Sequence, residues 1–149
     1  MTIRPKALLD TNALVAALER MHAHHGPSIF IFDRAKDGEL AVAAHVVAEP
    51  NSTLTRSGGL FRWLPDEAWQ GTASVMEVTT LVGLSPAAPL DAVRVFAEKH
   101  GIGLRIYDYL ISEAAVQNAI DRIITWNTSP MRSLFPSLRV NTPTEGDWL

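Results

Sequence analysis

Short apolar runs recur along the chain, each too brief for a helix. They are Ala7-Leu8-Leu9, closed by Asp10; Leu40-Ala41-Val42-Ala43; the β-rich stretch Val78–Leu84; Ile123-Ile124-Thr125; and Leu138-Arg139-Val140. Short apolar runs bounded by turn residues predict strands, most of them buried on both faces. Between the runs, apolar residues fall at three- and four-residue intervals. That spacing predicts helices over Asn12–Leu18, from Pro27 to about Lys36, over His45–Arg56, from Pro65 onward, over Leu90–Lys99 and over Tyr107–Ala119. Within the last, Leu110, Ile111, Ala114, Ala115 and Ala119 carry the apolar pattern. The punctuation agrees. Pro27 suits a first helical turn, and Asp66 with Glu67 suit the positive end of a helix dipole. Asp37-Gly38 marks a turn, while Ser57-Gly58-Gly59 and His100-Gly101 end helices. Glu19–Gly26 reads as a His-rich polar loop.

Strands alternating with helices predict an α/β fold, with a central parallel sheet of about five strands covered on both faces. Right-handed crossovers bring every strand's carboxyl end to one rim, where open sheets bind their ligands. Polar groups stand at the junctions that reach this rim: Asp10, Glu49, Asp108 and Asn127. Acids converging on one crevice repel each other unless a cation sits between them. Oxygen donors suit a hard ion such as Mg²⁺ or Mn²⁺. The combination points to metal-assisted phosphodiester hydrolysis, in which the cation acidifies water and offsets charge on the attacked phosphate. Each residue also has a local explanation. Asp10 and Asp108 can serve as N-caps, Glu49 as a solvated helix acid, Thr125 as strand filler and Asp121 as a turn residue.

Composition narrows the picture. The 149 residues suit a single domain over 1–149. A chain 47% hydrophobic and 19% charged is globular rather than disordered. No apolar run approaches the ~18 residues of a membrane span, and no signal-peptide core precedes the first strand, so a cytoplasmic protein is expected. The absence of cysteine excludes disulfides, thiolate metal sites and a Cys nucleophile. A net charge of −3 excludes nucleic-acid binding by bulk charge. Local pairs would have to act instead, Arg56 with Arg62 or Arg132 with Arg139.

Taken in order, these pieces resemble the PIN-domain family, and within it the VapC-like ribonucleases of toxin–antitoxin pairs. The resemblance rests on the first strand followed by Asp10-Thr11-Asn12, and on His45-Val46-Val47-Ala48-Glu49 followed by Leu54-Thr55-Arg56. It continues through Tyr107-Asp108 and Asp121-Arg122-Ile123-Ile124-Thr125-Trp126-Asn127. It implies a three-layer α/β/α PIN-like fold. It implies Mg²⁺ or Mn²⁺ held by Asp10, Glu49 and Asp108, with Thr125 and Asn127 completing the catalytic site. Thr11, Asn12, Arg56 and Trp126 would contact RNA. The implied activity is endonucleolytic cleavage of RNA to 5′-phosphate and 3′-hydroxyl ends, by a homodimer held in check by a VapB-like antitoxin.

Two features depart from the family pattern. Many members carry a fourth acid where this chain has Asn127, whose neutral oxygen adds no charge. Pro50 directly follows Glu49; a helix beginning at His45 would kink there, whereas a later start leaves Pro50 harmlessly in the first turn. His22, His24 and His25 read as a polar loop near the site rather than a transition-metal cluster, and His45 as a packed residue. Trp63, Trp69 and Trp148 read as packing residues, and Trp126 as the best base-stacking candidate. A haloacid-dehalogenase pattern fails at Asn12, where a second Asp is needed, and no phosphate-cradling glycine loop occurs. The competing functions are a PIN-like module that binds RNA or protein without cleaving, and a non-toxin PIN nuclease of RNA processing.

Overall fold

A computed structural model of the chain describes residues 3–56 and 59–145. Ser57 and Gly58 of the predicted helix stop, and Trp148, lie outside the described residues. The strands are β1 (Ala7–Leu9), β2 (Leu40–Ala43), β3 (Thr80–Val82), β4 (Arg122–Ile124) and β5 (Arg139–Asn141). All pair in parallel, in the order β3-β2-β1-β4-β5. Leu8 of β1 pairs with Ala41 on one side and Ile123 on the other. Leu8, Leu9, Ala41, Val42, Ile123 and Ile124 are all fully buried, as an interior strand covered on both faces requires.

The helices are α1 (Thr11–Leu18), α2 (His25–Arg34), α3 (Ala48–Thr55), α4 (Pro65–Val78), α5 (Ala88–Glu98), α6 (Arg105–Gln117) and α7 (Thr128–Arg132). From β1 to β3 the chain steps one way across the sheet; from β3 to β5 it steps back the other way. Right-handed crossovers therefore put α1 to α4 on one face and α5 to α7 on the other. The packing follows this division, with α1 on α2 and α3, α3 on α4, α5 on α6, and α6 on α7. The result is the α/β/α sandwich expected from the sequence. Because the chain leaves β1 in opposite directions, the switch point lies between the carboxyl ends of β1 and β4.

Several boundaries differ from the sequence reading, for local reasons. The predicted strand Val78–Leu84 is shorter because α4 runs on to Val78, and Thr79 Oγ1 donates back to Val75 O at 2.8 Å. Helix α6 begins two residues before Tyr107. The five-residue α7 was not anticipated, being too short to show a helical period. A 3₁₀ turn over Ala44–Val46 precedes α3, so the helix starts late. Pro50 then falls in the first turn, where its missing N–H has no partner to lose.

Candidate active site

Asp10 leaves β1 and caps α1. Its Oδ1 accepts the Thr11 N–H at 2.7 Å, and its own N–H donates to Ile124 O of β4 at 2.9 Å. The carboxylate thus sits at the switch point, only 8% exposed. Across the gap, Thr125 directly follows β4 and is fully buried. Its hydroxyl donates to Asp10 Oδ2 at 2.7 Å. It accepts from the Asn127 N–H at 3.1 Å and from Asn12 Nδ2 at 3.0 Å. The Asn12 amide is oriented in turn, because its Oδ1 takes the Trp126 N–H at 2.9 Å. Thr125 is therefore a junction joining the β1 and β4 loops, not filler.

Thr11 links Asp10 to the next acid: its Oγ1 donates to Glu49 Oε2 at 2.8 Å. Glu49 stands in the first turn of α3, near the positive end of that helix. Asp108 stands in the first turn of α6 on the opposite face of the sheet. Glu49, Asp108 and Asn127 line an open cavity of about 990 Å³, whose far wall is built from Arg105 and Tyr107 of α6 and Ser129 of α7. Asp10 and Thr125 lie at the carboxyl ends of the interior strands β1 and β4 rather than in the cavity lining.

The acids feel one another. Burial raises the Asp10 carboxyl to about 6, against hydrogen bonds from Thr125 and Thr11 that favour its charge; Asp108 and Glu49 push it further up. Asp108 is also raised, mainly by burial, with Arg105 opposing and Glu49 adding. Such mutual repulsion is what a cation among them would relieve. The donor set fits a hard divalent ion: charged oxygens, neutral oxygens on Asn127 and Thr125, and no soft ligand. It is not a closed cage, since among the described residues no three His, Asp or Glu side chains cluster closely enough to hold a metal alone. The same holds for His22, His24 and His25, whose rings are engaged elsewhere. His22 Nδ1 accepts the His24 N–H at 3.0 Å, and His25 Nδ1 lies 2.9 Å from Ala16 O.

The remaining candidates lie away from the cavity. Arg56 is exposed at the far end of α3 from Glu49. The Trp126 ring stacks on His24 at 3.9 Å between centroids and 13° between planes, and its Nε1 donates to Ser28 Oγ at 2.8 Å. Trp63 Nε1 donates to Glu19 at 2.6 Å, a packing role as expected, while Trp69 is exposed on α4. Arg132 donates to Val140 O and pairs with Glu145. Sequence reasoning missed Arg105, Ser129 and Ser133. Arg105 had a signal, its place three residues before Asp108 on one helix face; Ser129 in α7 and Ser133 just after it had none.

A PIN-domain family model matches residues 7–131. Among curated proteins none matches the chain. The fold is similar to that of VapC20 from Mycobacterium tuberculosis, a sarcin–ricin loop cleaving toxin, with a TM-score of 0.69 and 15% identity over 89% of this chain and 98% of that one. It is similar to VapBC2 from Rickettsia felis, solved bound to a promoter DNA fragment, with a TM-score of 0.64 and 16% identity over 91% and 97% of the two chains. FitAcB from Neisseria gonorrhoeae gives a TM-score of 0.60 and 17% identity over 94% and 99%.

Proposed function

This chain belongs to the PIN-domain family, and from that premise we propose that it is a VapC-like, metal-dependent endoribonuclease. One observation carries the proposal. Glu49 and Asp108 line one open cavity, Thr11 links Glu49 to Asp10, and the charge of Glu49 raises both aspartates, although the three acids come from separate segments. A hard divalent ion, Mg²⁺ or Mn²⁺, bound among these acids with water completing its coordination would acidify water and offset charge on the attacked phosphate, giving 5′-phosphate and 3′-hydroxyl ends.

The chain's own groups prepare that site. Thr125 and Thr11 hold the two oxygens of Asp10 in fixed directions, and Thr11 steadies Glu49. Asn127 offers the cavity a neutral amide, which can orient water without adding charge. Pro50 leaves Glu49 undisturbed. The proposed setting is a cytoplasmic homodimer inhibited by a VapB-like antitoxin. The similarity of its fold to a toxin, VapC20, supports that setting; so does the fact that no described helix is long and apolar enough to cross a membrane.

The direct test is cleavage of a mixed RNA pool by pure protein with Mg²⁺ or Mn²⁺, beside Asp10→Asn. Cleavage is expected with metal, absent with chelator, and lost by at least about a hundredfold in the variant, because one of three charged ligands is gone. A second reading is favoured by Asn127 and by the open donor set: a PIN module that binds RNA or a protein without cutting. Binding with no cleavage under either ion would establish it.

A further inference from the structure

A polyanion meets an electrostatic obstacle here. The cavity contains carboxylates at Glu49 and Asp108, and the chain carries a net charge of −3. Among the described residues, Arg105 is the only Lys or Arg lining it. Its charge is not spent on an acid. Arg105 forms no ion pair with a described acid, so it influences Asp108 without contacting it. Its bonds go to neutral acceptors: Nη2 donates to Pro130 O at 3.2 Å and to Ser133 Oγ at 3.0 Å. Both bonds use one nitrogen of the fork. The guanidinium is thereby tied across the α6–α7 junction, with the other two nitrogens left to donate. A long side chain fixed this way has lost much of its rotamer entropy before any ligand arrives.

We propose that Arg105 is the backbone-binding residue of the cleft: it holds a phosphate of the RNA strand adjacent to the one attacked among the carboxylates. Ser133 positions it. The proposal rests on the ribonuclease reading and adds to it the group that brings the polyanion to an acidic site. Arginine suits the task because its planar fork donates two parallel hydrogen bonds to phosphate oxygens. A contact to phosphate carries no sequence information, so its loss weakens all RNAs alike.

The test is fluorescence anisotropy of a short labelled single-stranded RNA in chelator, over a salt series. Wild type is compared with Arg105→Gln, Ser133→Ala and Arg94→Gln, each checked for an unchanged thermal midpoint. Arg94→Gln removes the same charge from exposed α5, outside the cavity. Arg105→Gln is expected to weaken binding about tenfold and to flatten the log–log salt slope by about 0.7, the share of one phosphate contact on a single strand. Ser133→Ala should weaken binding without changing the slope, and Arg94→Gln should do neither. Arg105→Gln behaving like Arg94→Gln, while wild type binds, overturns the role of Arg105 and leaves the ribonuclease reading standing. No binding by wild type at low salt overturns the role of Arg105, and the metal-dependent cleavage assay then decides the ribonuclease reading separately.

Discussion

Burial sets the behaviour of Asp10. An acid whose folded pKa is raised from 3.8 to about 6 binds its proton more tightly in the folded state than in the unfolded chain. Below the lower value both states carry the proton and the group costs nothing. As pH rises from 3.8 to about 6 the unfolded chain ionises first, and stability falls; above that window the full penalty, about 3 kcal/mol, is present. Metal-free wild type should therefore lose about that much more stability than Asp10→Asn between pH 4 and pH 7, measured by urea unfolding in chelator. Parallel pH profiles for the two proteins would show that the buried carboxyl carries no such penalty. Asp108 is raised mainly by burial, which the substitution leaves in place, so the difference between the two profiles reports chiefly on Asp10.

At the scale of elements, the late start of α3 decides the fate of Glu49. A helix from His45 would have put Pro50 in its second turn, breaking a hydrogen bond and re-aiming the acid. The 3₁₀ turn over Ala44–Val46 moves the first helical residue to Ala48, and Pro50 becomes part of the N-terminal turn. Pro50→Ala should then change stability by less than about 1 kcal/mol, mostly through the entropy of the unfolded chain. Metal-dependent cleavage should stay within about twofold of wild type, since Glu49 keeps its place. A large drop in activity at unchanged stability would mean that the proline aims the carboxylate. Helix α7 teaches a different lesson. Its five residues hold no periodic signal, yet it supplies Ser129, and its C-cap Ser133 anchors Arg105.

For the whole molecule, the site acts as a fault in an otherwise satisfied interior. No buried side-chain nitrogen or oxygen among the described residues lacks a hydrogen-bond partner. The unfavourable interactions are instead between like charges gathered at the sheet's rim. A cation that binds only the folded state should raise its stability by mass action. At a hundred times its dissociation constant, Mn²⁺ should add about 2.7 kcal/mol and raise the melting temperature. Chelator should reverse the effect, and Asp10→Asn should largely abolish it. An equal rise in the variant would place the ion elsewhere on the surface.

The chain's neighbour-to-neighbour chemistry determined its elements: five apolar runs, the intervening helices, and acids and amides at strand ends, including Asp10, Glu49, Asp108 and Asn127. Those signals are local, because periodicity, caps and turns depend on residues a few positions apart. The sequence left open whether Pro50 bends its helix, and whether Thr125 is filler. The tertiary structure decided both, together with what meets across the sheet. Thr125 and Asp10 are 115 positions apart and hydrogen-bonded only because β1 and β4 are neighbours in the order β3-β2-β1-β4-β5. The Trp126 ring stacks on His24 and its Nε1 donates to Ser28, contacts that exist only because the start of α2 lies beside the end of β4. Arg105 faces a cavity because α6 and α7 share one face of the sheet. Backbone pairing joins strands without reading which side chains follow them, so these contacts exist only once the whole sheet has formed.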